Sequence, residues 1–431
     1  MKILNSVSLN ERVFYDKLPN GMQVFYMPKK GFTKKYAVMS ANFGSNDLEF
    51  ISPHTGEKIR TNEGVAHFLE HKMFAMEDGT DAFEYFNKIG ALSNAYTNFN
   101  ITSYLFLTAD NFYSGLKHLI NFVGSPYFTE ENVEKEKGII AQEIKMYDDE
   151  PSWRLFFNAL KIMYINHNNR IDIAGDVESI YKITPEELYM CYNSFYSPSN
   201  MSLFIAGDLN ADKIFETVYA TVKNDNMFEG KICRIQKREP NEVKEHFISE
   251  KAEVSIPMAL IAFKDKIDRP ERGLSLIKKI IETELIMDIL FKKGSDLHEK
   301  LYSEKLIHSP LQCEYTVHTD YGYSAISFES RETEKVLSEI KETIENAQKN
   351  GISKTDFERN KKGRLGSYIK MFDSIETTAN FWSDLWFKGV NLFDFYDVIQ
   401  KTTLKDVNRR LKNHFDYKMS VVSLIEPLNE K

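Results

Sequence analysis

Three residues in one short stretch, His67, Glu70 and His71, have the types and spacing to do chemistry. On a helix, positions i and i+4 lie on one face. His67 and His71 can therefore grip a single metal ion through ring nitrogens, a donor pair that suits zinc. Glu70 lies three residues after His67 and shares the face. It need not bind the metal; it can hold a water beside it and take its proton. A catalytic zinc needs a third protein ligand and keeps one position open. Glu143 is the candidate for that ligand. Glu136, two helical turns earlier, lies on the same helix face and could orient a ligand or the catalytic residue. The candidate catalytic pair is thus Glu70, as base, with Glu136.

The order His-x-x-Glu-His is the inverted form of a zinc-peptidase motif. Three fixed letters also arise by chance, so the downstream glutamates matter. Most acids of Glu130 to Glu136 read as the solvated face of a charged helix. Glu143 differs, because it follows apolar Ile139, Ile140 and Ala141, where a carboxylate is less expected. His118, His167 and His318 have no partner at ligand spacing and read as ordinary core or surface residues.

These groups need elements to position them. The stretch from Glu63 to Phe74 has no proline and carries apolar residues at helical intervals. A second helix is expected from Asp81 to Ile89, and Ser93 to Leu107 reads as two extended strands. Helical spacing returns from Asp110 to Val123. Thr129 is a good N-cap for a long helix to about Met146, interrupted by Asp148 to Pro151, with another helix from near Trp153. Thr184 with Pro185 starts a further helix, and Ser199 to Gly207 reads as a strand. Upstream, Leu18-Pro19-Asn20-Gly21 is a turn between two strands, and Tyr36 to Phe43 is another strand. The polar stretch 226–245 is the expected linker. After it the order recurs: a strand at Ala259 to Phe263, a helix from Gly273 to Phe291, and extended segments from Leu311 to Phe328. Helices Thr333 to Lys349, Thr355 to Phe372 and one from Thr403 follow, then a strand from Met419 to Leu424. Two halves with one element order suggest an internal duplication. The expected division is a zinc-binding domain at 1–225 and a second homologous domain without a metal motif at 246–431.

The chain has 431 residues, 42% of them hydrophobic, and a net charge of −8. That length suggests two or three domains. The acidic balance, without a long like-charged block, argues against nucleic acid or an anionic membrane as partner. No run of apolar residues is long enough for a membrane span, and the first residues lack the apolar stretch of a signal peptide. Cys191, Cys233 and Cys313 read as free thiols. A cytoplasmic location is the expectation.

Longer stretches carry a resemblance. They are Glu63 to His71, Ser93-Asn94-Ala95-Tyr96-Thr97, Glu134 to Ile144, Ala174 to Ile180 and Phe195 to Met201. On these the chain resembles the insulinase, pitrilysin and mitochondrial processing peptidase family over nearly its whole length. It is similar to the catalytic member of a Gram-positive two-subunit form. The resemblance implies an α+β fold of two similar domains, each a mainly antiparallel sheet with helices packed on it, arranged as half of a peptidase clamshell. It implies a zinc-dependent endopeptidase with one zinc per site, acting on peptides or extended protein segments. Relatives include peptidases that remove leader peptides. It also implies that Asn94 and Ala95 lie on a strand edge to which substrate adds as another strand. The alternative is a non-catalytic peptide-binding or scaffold subunit of the same fold.

One departure stands out. Family chains often carry an Arg in the second half and a Tyr six or seven residues later, both reaching substrate. Here Tyr302 stands where the Arg is expected and His308 where the Tyr is expected. A homologous partner supplying that pair, in a heterodimer, is the expectation, with a homodimer as the alternative.

Overall fold

The computed structural model describes residues 1–222 and 232–428. Residues 226–231 of the expected linker lie outside the described residues.

Strand Gln23–Pro28 shows why the first sheet is covered on both sides. Val24, Phe25, Tyr26 and Met27 are all buried, and successive strand residues point to opposite faces. Val24 and Tyr26 join a core with Leu119, Phe122 and Ile214. Phe25 packs instead on Trp382 and Trp386. The strands of this part of the chain are β1 (Lys2–Ser6), β2 (Glu11–Lys17), β3 (Gln23–Pro28), β4 (Lys35–Ala41), β5 (Glu49–Ile51), β6 (Lys58–Arg60), β7 (Leu92–Thr97), β8 (Thr102–Thr108), β9 (Met201–Gly207) and β10 (Cys233–Arg234). Seven of them form one sheet in the order β1-β2-β3-β9-β4-β8-β7. All neighbours are antiparallel except β3 and β9, which run parallel. The expected turn joins β2 to β3, with Gly21 N–H donating to the Leu18 carbonyl at 2.9 Å. Gly21 sits at φ 92°, a region that glycine enters without strain. Strands β10, β5 and β6 form a small separate sheet.

The later strands are β11 (Phe247–Ala252), β12 (Met258–Lys264), β13 (Gln312–Val317), β14 (Gly322–Glu329) and β15 (Ser420–Pro427). Their order is β11-β15-β12-β14-β13. Only β11 and β15 run parallel. This repeats the order and direction of β3-β9-β4-β8-β7, so the duplicated element order is a duplicated topology. The fold is α+β.

The compact units interleave along the chain. Unit 1 comprises Met1–Lys145, Ile171–Lys237 and Met371–Phe387; unit 2 comprises Met146–Arg170, Arg238–Lys370 and Lys388–Lys431. The division at 1–225 and 246–431 describes the repeated order of elements, and the units depart from it by two helices. Helix Pro151–Met163 packs on β11, β12 and β15 in unit 2, and helix Ile375–Phe387 packs on β4 and β9 in unit 1. Apolar faces decide this. Trp382 is buried against Phe25 and Phe204, and Leu155, Leu160 and Met163 are buried in the other helix.

Candidate metal centre

The motif helix runs from Val65 to Lys72. Gly64 precedes it at φ 84°, and a Cβ there would meet the Ala174 carbonyl oxygen at 2.2 Å. Gly175, at φ 72°, is equally confined against the Glu63 carbonyl. Two glycines thus let two backbone segments touch and fix where the helix begins. The Glu187 carboxylate also holds this entry, accepting from Asn62 N–H at 2.7 Å and from Asn62 Nδ2 at 2.8 Å. Val65, Ala66, Phe68 and Leu69 are buried and anchor the helix.

A second helix, Glu130–Asp148, brings the carboxylates. It starts as the sequence predicts: Thr129 Oγ1 accepts from Asn132 N–H at 3.2 Å, and Asn132 Oδ1 accepts from Thr129 N–H at 3.0 Å. Val133, Ile140, Ala141 and Ile144 bury one face. Glu136 and Glu143 then meet the motif helix from the adjoining face.

His67 Nε2 lies 3.7 Å from Glu143 Oε1, and His71 Nε2 lies 3.5 Å from Glu143 Oε2. The two imidazole rings are 4.6 Å apart at a 62° angle. One ligand atom from each of His67, His71 and Glu143 lies within 4.8 Å of the others. Tetrahedral zinc with ligand distances near 2.0–2.1 Å needs donors about 3.3–3.4 Å apart. The donor set is two nitrogens and one carboxylate oxygen, and the residues fit a zinc ion.

Glu136 does not join that set. Its Oε1 lies 3.0 Å from His71 Nδ1, and its Oε2 accepts from Lys72 Nζ at 3.1 Å. A carboxylate on Nδ1 fixes the tautomer that leaves Nε2 free to ligate. The corresponding nitrogen of His67, Nδ1, is buried and has no hydrogen-bond partner among the described residues. Glu70 is buried, and its Oε2 accepts from Thr97 Oγ1 at 2.6 Å.

Electrostatics follow the geometry. Burial and the neighbouring His71 ring lower the His67 pKa to about 3, so this ring is neutral at neutral pH with a lone pair to offer. Burial also acts to lower His71, but the hydrogen bond to Glu136 and the nearby Glu70 and Glu143 carboxylates outweigh it and raise the pKa. Burial raises Glu70 against the opposing hydrogen bond from Thr97. Burial acts to raise Glu136, yet His71 and Lys72 lower it on balance.

Asn94 and Ala95 lie on β7, the last strand of the sheet, which among the described residues is paired on one side only, with β8. Ala95 N–H donates to Asn94 Oδ1 at 2.9 Å. The same strand carries Thr97, which ties this edge to Glu70. In unit 2, Tyr302 lies in the last turn of a short helix, Asp296–Ser303, and stacks on His298 at 6.1 Å. Tyr302 and His308 are exposed. Lys72 and Thr97 are the residues that sequence spacing did not single out. A lysine at i+4 from Phe68, on an otherwise apolar face, was the available signal for the first.

A family model described as Insulinase (Peptidase family M16) matches residues 57–177, and a second, Peptidase M16 inactive domain, matches residues 182–364. The first span contains every candidate site residue. The uncharacterized zinc protease YmfH of Bacillus subtilis is 38% identical over 408 residues, covering 94% of this chain and 95% of that protein. A solved protein described as an M16-like peptidase from Alicyclobacillus acidocaldarius has a TM-score of 0.93 at 32% identity, covering 98% of this chain and 100% of that one. Pitrilysin shares the fold, with a TM-score of 0.76 at 17% identity, and the match covers 99% of this chain and 46% of that one.

Proposed function

The chain belongs to the insulinase family, peptidase family M16, and on that premise we propose that it is a zinc-dependent endopeptidase acting on peptides or extended protein segments. The convergence of His67 Nε2, His71 Nε2 and a Glu143 carboxylate oxygen on one point carries the reading. These three residues would hold the metal. A zinc ion there supplies Lewis acidity and draws the pKa of a water from about 15.7 toward 7.

The chain's own residues do the rest. Thr97 occupies Glu70 Oε2, which leaves Oε1 to take the proton of the attacking water. Burial raises the Glu70 pKa, moving this base toward the pH at which it must both accept a proton and give it to the leaving amine nitrogen. Glu136 holds the His71 ring by Nδ1. The open edge of β7 at Asn94 and Ala95 presents backbone groups that can pair with an extended substrate whatever its side chains. A relative named A-factor-processing enzyme, from Saccharomyces cerevisiae, is 25% identical over 50% of this chain and 21% of its own length; its name supports peptide processing as the type of task, and leader removal is the form of it proposed here. Among the described residues no helix is long and apolar enough to cross a membrane; a cytoplasmic site of action is part of this proposal.

The proposal extends to a partner. Tyr302 and His308 replace the Arg and Tyr expected in the second half, so a second chain of the same fold supplies them. The periplasmic protease PqqL of Escherichia coli supports a paired arrangement, since this chain matches 48% of its length. The test is zinc content by elemental analysis with peptidase assays of the chain alone, as a homodimer, and mixed with a homologous partner. Zinc with activity that appears or rises on adding the partner is the expected result. A zinc-loaded chain inactive in every mixture identifies a peptide-binding subunit instead, and full activity alone removes the partner.

A further inference from the structure

Lys72 is a cation where the helix calls for an apolar residue. It stands at i+4 from Phe68 and i+3 from Leu69, both buried, and its own side chain is only 6% exposed. A buried ammonium is costly unless it is paired and hydrogen-bonded. Its partner is Glu136 Oε2, at 3.1 Å, while Glu136 Oε1 takes His71 Nδ1 at 3.0 Å. Two successive residues of the motif helix thus hold both oxygens of one carboxylate on the neighbouring helix.

We propose that Lys72 is a positioning residue that commits Glu136 to the His71 ring and so makes Glu143, not Glu136, the third metal ligand. The two glutamates lie two turns apart on one helix face, and spacing alone does not choose between them. The choice is made by occupancy. Both Glu136 oxygens are held away from the two Nε2 atoms, one at His71 Nδ1 and one at Lys72 Nζ, whereas the Glu143 oxygens lie 3.5 and 3.7 Å from those Nε2 atoms. Lys72 also offsets the Glu136 charge, so that the carboxylate serves as a fixed acceptor for Nδ1–H rather than as a second anion competing for the metal. This rests on the zinc reading above and names a residue which that reading does not use.

The experiment is a double-mutant cycle on the full chain with Lys72→Met, Glu136→Gln and both together. Zinc affinity is measured by chelator competition, and the visible absorption of the Co²⁺-substituted protein reports ligand geometry. Each single change is expected to weaken zinc by about tenfold or more, as loss of a group that orients a ligand does. The double variant should bind zinc about as well as the worse single, because both act through one chain of contacts. The Co²⁺ spectrum should change alike in both singles, which a lysine that merely supports the fold would not produce. Wild-type affinity and spectrum in Lys72→Met, or losses that multiply in the double variant, overturn the role of Lys72. Lys72→Leu likewise lacks a donor at the buried position and is read in the same way should the methionine variant not fold. Wild-type protein without zinc overturns the metal reading itself and this inference with it; wild-type protein with zinc and unaffected variants overturns only this inference.

Discussion

In unit 1 the strand order β3-β9-β4-β8-β7 supports a polar cluster with open valences, and in unit 2 the order β11-β15-β12-β14-β13 supports one that is closed. Asp265 follows β12. Its Oδ1 accepts from Arg410 at 2.7 Å and from His414 Nδ1 at 2.8 Å, and its Oδ2 accepts from Tyr315 at 2.6 Å. His414 Nε2 lies 2.8 Å from Ser324 Oγ, and Arg410 Nε donates to Thr283 Oγ1 at 2.7 Å. The order Ser324–His414–Asp265 has the connectivity of a hydrolase triad. Yet Asp265, His414 and Ser324 are buried, so substrate has no access and the groups satisfy one another. Buried polar groups are normally hydrogen-bonded. In unit 1 the donors instead face one another at 3.5–3.7 Å without bonding, and the His67 Nδ1 atom has no partner among the described residues. The difference separates a cluster that holds a fold from one arranged to hold something else.

The largest effect that sharpens this contrast is loss of the metal. His67→Ala or His71→Ala should empty the site and abolish turnover, with zinc content read by elemental analysis. Full zinc in both variants would remove the distinction between the units. Glu143→Gln should weaken zinc more than Glu136→Gln does. Next in size is Glu70→Gln, which keeps shape but cannot accept a proton. Turnover should fall by about 10²–10⁴ with zinc retained; wild-type turnover means another base acts.

The closed cluster should respond in stability, not in metal binding. Asp265→Asn leaves Arg410 buried without its carboxylate, and truncating one partner of a buried pair costs about 3–5 kcal/mol. Urea unfolding measures that cost, and zinc affinity should stay at the wild-type value. A zinc defect in Asp265→Asn would mean that the two clusters are coupled.

The same cluster predicts an acid limb. Burial and the Arg410 charge lower the His414 pKa to about 4, against about 6.5 for an unfolded histidine. Between those values the unfolded chain binds a proton that the folded one refuses. Stability is therefore full above about pH 6.5 and falls as the pH drops toward 4, by an amount on the order of 2–3 kcal/mol. His414→Asn should flatten that part of the stability–pH curve relative to wild type. An unchanged slope refutes the assignment.

The contrast also shows what the sequence made legible. His67, Glu70 and His71 could be read because helical spacing is local, and Glu143 because a carboxylate among Ile139, Ile140 and Ala141 is out of place. The recurring order of elements along the two halves could be read from periodicity and turns, whereas the order of strands within each sheet came from the structure. Lys72 and Thr97 could not be read in the same way, since lysine usually marks a solvated face and threonine is an ordinary strand residue. Only the approach of a second element gives each its meaning. The interleaving of helices Pro151–Met163 and Ile375–Phe387 was likewise hidden, because apolar faces report that a helix packs but not on which sheet.

The smallest expected effect concerns Thr97, and it tests whether the edge strand and the base act together. Thr97 donates to Glu70 Oε2 at 2.6 Å from the strand that carries Asn94 and Ala95. A hydrogen bond to a charged group is worth about 1.5–3 kcal/mol, and little of it is recovered when the donor is removed from a buried site. Thr97→Val keeps the branched shape and the strand preference but deletes the donor. The base then loses its fixed orientation, while the backbone edge that would pair with substrate is untouched. kcat should fall about tenfold with KM nearly unchanged, zinc content should stay at the wild-type level, and Thr97→Ser should restore most of the rate. A rise in KM alone would place Thr97 with substrate binding rather than with the base. A loss in the Ser variant with a wild-type rate in the Val variant would show that the methyl group's packing matters and the hydroxyl does not, and the link between edge strand and base would have to be abandoned.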